Sequence, residues 1–189
     1  MSSPPASQQV QRKLEELASY EPKHAQAAAV WLIEHADEAS PLVERAVRDG
    51  TAANPENAMR VLAAIGDPGG VPALEAALQR GNPGESFYAA ASLVVHPHAD
   101  ARATLVRGLA SEQLNVRFAV LDALNQREAA WACADLERMA GDSEPQVRFR
   151  ALRAARTAGC ITDAQLELRA AYDPDESLRS QLRALMTKD

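Results

Sequence analysis

Val116-Arg117-Phe118 returns as Val147-Arg148-Phe149 and, weakened, as Leu178-Arg179-Ser180, each copy 31 residues after the last. A fixed interval of this length constrains the fold more than any single segment, because it belongs to arrays in which one supersecondary unit stacks on the next. The same step carries Trp31 to Leu62, Leu93 and Leu124, Leu74 to Leu105 and Leu136, Ala27 to Ala58 and Ala89, and Gly50 to Gly81. Apolar residues thus reappear at one place in every unit. A unit of this size holds two helices, and the pair cannot bury its apolar side without the pair beside it.

Composition agrees with helices. Apolar residues make up 47% of the chain but aromatics only 4%, whereas strands draw on β-branched and aromatic side chains. A chain of 189 residues buries about 70% of its unfolded surface when it folds around one core. The net charge of -6 weighs against a nonspecific nucleic-acid binder, which needs a basic excess. No apolar run reaches the about 18 residues of a membrane span, and Met1-Ser2-Ser3-Pro4-Pro5 does not read as a signal peptide. Cys133 and Cys160 occupy non-equivalent places in their units, which predicts two unpaired apolar packers in a reducing, bacterial-type cytoplasm.

The expected organisation is a disordered tail over 1–6 and a single domain over 7–189. A capping helix covers 7–19, helix pairs follow at about 21–50, 52–81, 83–112, 114–143 and 145–175, and a C-terminal cap covers 176–189. Pro22, Pro41 and Pro55 suit first helical turns, and Gly50 and Gly81 suit helix ends. Ala27 to Ile33 are expected as the buried middle of the first pair. Leu166 and Leu168 are expected in the core of the last, where Glu167 falls on the place of Leu136 and predicts a slip of one residue. Gln181, Arg183 and Lys188 supply the polar outside of the final helix.

The stretch Val61-Leu62-Ala63-Ala64-Ile65-Gly66-Asp67-Pro68-Gly69-Gly70-Val71-Pro72-Ala73-Leu74, with the Val-Arg openings at 116 and 147, resembles the HEAT repeats of the phycobiliprotein-lyase-like type. The resemblance spans roughly residues 21–186. It implies an all-α, right-handed α-solenoid of about five HEAT-like helix pairs with terminal capping helices. That family includes scaffolds, adaptors and chromophore lyases or their helper subunits, so a bilin-lyase-like enzyme or lyase subunit is the alternative the resemblance implies.

Second helices of such pairs line the concave side, and the 31-residue step places Arg45, Ala76, Arg107, Arg138 and Arg169 there, with Tyr172 nearby. A row of guanidinium forks is suited to carboxylate or phosphate. The competing reading is that Glu44, Glu75 and Glu137, one step earlier, neutralise the row as weak surface pairs. A second ladder, Arg117, Arg148 and Arg179, follows Ser111, Asp142 and Asp173 by six residues. It reads as structural, an acid closing one repeat and pairing with the arginine that opens the next.

The loops within pairs make a rim carrying Trp131, His96 and His98. Trp131 is either an interface anchor or a cover over the next repeat. His96-Pro97-His98 with Asp100 offers three metal ligands but no fourth, and reads as a solvated loop. No nucleophile-and-base arrangement or phosphate loop is legible. The expectation is therefore a non-enzyme without metal or cofactor, a scaffold or adaptor that presents its concave groove to another protein and not to a membrane. An acidic segment suits the arginines, while the acidic outer faces suit a basic partner. A DNA-binding helical-repeat protein, using the arginines on phosphates, is the further alternative.

Overall fold

A computed structural model describes residues 6–127 and 129–187. Of the expected tail, residues 1–5 lie outside the described residues, as do Glu128 and Lys188, while Ala6 already opens a helix. The described residues form twelve α-helices and a 3-10 turn at Ala130–Ala132, with no strand among them. In order they are α1 (Ala6–Glu16), α2 (Pro22–Glu34), α3 (Ala36–Asp49), α4 (Pro55–Ile65), α5 (Gly70–Gln79), α6 (Pro83–Val95), α7 (Ala99–Leu109), α8 (Leu114–Gln126), α9 (Cys133–Met139), α10 (Pro145–Thr157), α11 (Asp163–Tyr172) and α12 (Glu176–Met186).

The chain divides into two compact units, Met1–Leu105 and Val106–Asp189. In the first, every helix from α1 to α4 packs on the next and on the next but one, and α5 packs on α6. In the second, α10 is central and packs on α8, α9, α11 and α12. This is the stacking of an all-α solenoid, each pair burying its apolar side on its neighbours. Leu62, Leu74, Leu93, Leu105, Leu124 and Leu136 are all buried, as the 31-residue step requires.

Helix starts follow the sequence. Proline occupies the first turn of α2, α4, α6 and α10, where its missing N–H costs no helical bond. Asn54 caps α4 by accepting from Asn57 N at 3.0 Å, and Thr162 and Gln165 form a capping box at α11, satisfying donors a helix start leaves open. Asn57 also donates its side chain to Leu17 O at 2.9 Å, tying α1 to α4.

Two expectations about the first pair are corrected. Pro41 does not open α3. The helix begins at Ala36 and carries Pro41 in its second turn, losing one backbone bond while keeping Ser40 and Val43 buried. In α2 the buried positions are Ala28 and Leu32, so Ala27 is exposed and Trp31 half-buried, its ring stacked on His35 at 4.0 Å. The helix is turned by one residue relative to the repeat.

In the second unit α8 and α10 run in parallel register, one repeat apart. Thr157 donates to Asn125 Oδ1 at 2.9 Å, Arg150 and Arg153 both reach Asp122, and Arg150 lies 4.1 Å over the Phe118 ring. This register overturns the expectation of free cysteines, since Cys133 and Cys160 are joined by a disulfide. Both follow the first helix of their pairs, beyond Gln126 and beyond Thr157, so parallel stacking brings the two turns to one edge. Their unequal places along the repeat are made up by the 3-10 turn before Cys133.

Candidate functional site

The second unit carries a cleft of about 780 Å³ bounded by α9, α10 and α11. Its floor comes from α10, where Arg148, Leu152 and Ala155 stand four and three residues apart and so share a helix face. Glu137 and the turn Ala140–Ser143 make one side, and Ile161, Gln165, Leu168, Arg169 and Tyr172 make the other.

The second side follows from how α11 sits. Leu166 and Ala170 are its buried positions, which fixes the slip of one residue that Glu167 pointed to. It also corrects the expectation for Leu168. Two residues from Leu166 is more than half a helical turn away, and Leu168 is 60% exposed. Tyr172, one turn on, is 80% exposed. Leu168 and Tyr172 thus form an apolar stripe flanked by Arg169 and Gln165.

The end of the cleft is closed by Arg148, only 8% exposed. Its Nε and Nη2 donate to Asp173 Oδ2 and Oδ1 at 2.9 and 2.7 Å, and its Nη1 donates to the carbonyls of Asp142 and Ser143 at 3.0 Å each. The hydrogen bonds from Arg148 hold the Asp173 carboxyl below the usual carboxylate range against the opposing effect of burial, and Asp173 in turn raises Arg148. The pair stays ionised through neutral pH and is a structural closure, with no proton to offer a reaction.

The arginines of the second ladder bond within the fold, and their pairing differs from the expected one. The residue six places earlier offers its backbone carbonyl: Arg117 Nη1 donates to Ser111 O at 2.6 Å, and Arg179 Nη1 to Asp173 O at 2.8 Å. The carboxylate comes from 25 residues later, Asp173 for Arg148 and Asp142, at 3.6 Å, for Arg117. The bare count from acid to arginine selected the right residues and the wrong partner atoms, because an acid at a helix entry turns its side chain back toward the preceding repeat.

The first arginine ladder lies at the surface. Arg45, Arg107, Arg138 and Arg169 are all exposed, but only Arg169 lines the cleft, with Tyr172. Arg138 pairs with Asp135 at 2.8 Å and not with Glu137. Neither Arg169 nor Glu137 has an ion-pair partner within reach among the described residues. Glu44, expected beside Arg45, accepts from Ser40 at 3.0 Å and lies against Gly69 at the start of α5.

The rim residues also part company. His96, expected in a solvated loop, is 6% exposed. Its Nδ1 accepts from the His98 backbone at 3.2 Å, its buried Nε2 has no hydrogen-bond partner, and burial lowers its pKa, with His98 adding to the effect. The ring is packed against Gly70, where a Cβ would meet Nε2 at 3.2 Å. A polar tripeptide gave no sign of this burial, and the paired glycines of Gly69-Gly70 were the available signal. His98 is half-buried, 3.6 Å from Asp100. Trp131 is half-buried in the 3-10 turn.

Among the described residues no group of three or more His, Cys, Asp or Glu is placed to hold a metal ion. No helix among them is long and apolar enough to cross a membrane. What the cleft offers chemically is recognition: an exposed apolar stripe, one unpaired guanidinium and one unpaired carboxylate, around a rigidly closed end.

No protein-family model matches the chain, and no curated protein does. It is similar to a solved structure described as the complex of CpcE and CpcF of phycocyanin lyase from Nostoc sp. PCC7120, with 21% identity and a TM-score of 0.48 over 92% of this chain and 74% of that one. That structure is of an enzyme, so the expectation of a non-enzyme is withdrawn. At this distance the likeness assigns the chain no reaction and no substrate.

Proposed function

We propose that this chain is a HEAT-like repeat subunit that holds a partner protein, and that the α9–α11 cleft is its binding surface. The observation that carries the reading is Leu168 and Tyr172, exposed on one face of α11 beside an unpaired Arg169 and over a preformed hollow. An exposed apolar stripe with a charged edge is the composition of an interface anchor. A fitting segment places an apolar side chain over Leu168 and Tyr172 and a carboxylate on Arg169.

A lyase-like enzyme or lyase subunit is the second reading, and the same cleft serves it. About 780 Å³ lies within the range of small-molecule sites, and an apolar wall with one free guanidinium suits a tetrapyrrole bearing propionates. DNA binding loses support at one position of the groove row, because Arg138 is engaged by Asp135. The cytoplasmic placement rested on unpaired cysteines. In a reducing cytoplasm the disulfide would be a transient bond, and in an oxidising compartment a permanent one.

The test is a photo-crosslinking amino acid at Leu168 or Tyr172, with Glu167 on the other side of α11 as control, irradiated in the native cell. Crosslinks at the first two positions to one protein, lost with Arg169→Glu, support the reading. Equal crosslinking at Glu167 overturns it. A visible-band shift on adding biliverdin, abolished by Tyr172→Ala, decides for the lyase reading.

A further inference from the structure

We propose that the Cys133–Cys160 disulfide is a redox clamp on this cleft, and that reducing it releases α9 and opens the Glu137 side. The proposal rests on the reading of the cleft as the binding surface, and it concerns the regulation of that surface.

Three observations carry it. The first is placement. The bond joins the first residue of α9 to the turn after α10, so the segment it closes contains Glu137, the Ala140–Ser143 turn and the α10 floor. The residue after Cys160 is Ile161, where the opposite side begins. One covalent link therefore ties the two sides together at one edge.

The second is the weakness of what it holds. α9 is seven residues long, the shortest helix described, under two turns where an isolated helix does not persist in water. Leu136 and Met139 are its buried anchors, at its middle and its last residue, and among the described residues α10 is the one other α-helix it packs on closely. The disulfide pins the N-terminal end of α9, beside the buried Ala132 of the 3-10 turn.

The third is access. Both cysteines are half-buried, and a Cβ built on the adjacent Gly159 would meet nothing within 4 Å, so the turn is open beside Cys160. A dithiol reductant can reach the bond. One of its thiolates attacks a protein sulfur and expels the other as thiolate, and its second thiolate then attacks the mixed disulfide. The S–S bond is broken, the two cysteines take up two electrons and two protons, and the dithiol leaves as its own disulfide.

The experiment is hydrogen exchange read by mass spectrometry on the full chain, with no ligand present, before and after about 10 mM dithiothreitol, with thiols counted by mass after alkylation. In the reduced protein, amides over 133–143 are expected to gain at least about tenfold more in exchange rate than those over 116–124 and 147–155, whose rise reports only the general loss of stability. A Cys133→Ser/Cys160→Ser variant is expected to match the reduced state and to ignore dithiothreitol. Should that variant fail to fold, reduction of the natural chain decides alone. Unchanged protection over 133–143 in fully reduced protein overturns the proposal, as does a bond that resists the reductant or an equal rise throughout the second unit. Failure of the binding reading appears in the crosslinking result and leaves this outcome untouched.

Discussion

Replacing Arg148 with methionine keeps an unbranched apolar stem, two atoms shorter, and removes the five donors, which isolates the closure at the end of the cleft. The wild-type residue makes two hydrogen bonds to the Asp173 carboxylate, at 2.9 and 2.7 Å, and two to the carbonyls of Asp142 and Ser143 at 3.0 Å. Hydrogen bonds to charged groups are worth about 1.5–3 kcal/mol each, and breaking a buried pair from one side costs about 3–5 kcal/mol. Methionine recovers part of this by burying apolar surface, leaving a net loss of about 3 kcal/mol for Arg148→Met. Urea denaturation followed by circular dichroism reads this as a fall in midpoint of about 1–3 M. Asp173→Asn alone should also destabilise, and the double variant should lose less than the sum of the two, with a coupling of about 2 kcal/mol.

The pH dependence gives an independent check. Asp173 is held below its ordinary carboxylate value in the folded chain, so its contribution is present above about pH 4 and is lost as pH falls through the depressed folded value. The difference between wild type and Arg148→Met should therefore shrink in acid. A loss below about 1 kcal/mol, or a difference that stays constant down to about pH 3, would falsify the assignment of Arg148 and Asp173 as a buried keystone.

The remaining predictions are smaller in scope. Cys133→Ser/Cys160→Ser should lose about 3.5 kcal/mol of stability from the loop that closes over a separation of 27 residues, with the natural chain in reductant matching the variant in urea titration. Gly66 stands at a φ of 77° with Pro97 Cγ 2.7 Å from where a Cβ would be, so Gly66→Ala should cost about 2 kcal/mol or more in the same assay. His96 has its pKa lowered by burial, so the folded form resists the proton that the unfolded chain accepts. Stability should fall as pH drops below about 6.5, and His96→Phe should remove that slope from a series of melting curves.

Residues at a constant interval were legible because burial repeats with them. Leu62, Leu93 and Leu124, or Leu74, Leu105 and Leu136, needed only counting. What was not legible depends on how neighbouring repeats meet. Cys133 and Cys160 looked unrelated when measured along the chain, yet parallel stacking of α8 and α10 brings their turns together. Asp142 looked like the partner of Arg148, six residues away, while the carboxylate that reaches it is Asp173. At the candidate site Arg169 and Tyr172 were readable as an exposed face, but Leu168 was assigned to the core with Leu166, a pairing that helical geometry forbids for positions two apart. His96 was read by its polarity, and its burial was set by Gly70, which no count along its own helix reveals.

The arginine hand-over also sets where this chain will accept foreign sequence. The connector from Asp142 to Arg148 is spanned by bonds to two successive carbonyls, and the Asp173 to Arg179 connector by a bond of the same kind. A residue inserted into either would pull the guanidinium off its acceptors. Among the described residues the connectors within pairs carry no arginine tether of this kind, and the one after Thr157 holds Gly159, with open space around it. A loop grafted between Ile161 and Thr162 would lengthen a turn and leave the Cys133–Cys160 bond in place, while the same loop grafted after Asp142 would unfasten two repeats.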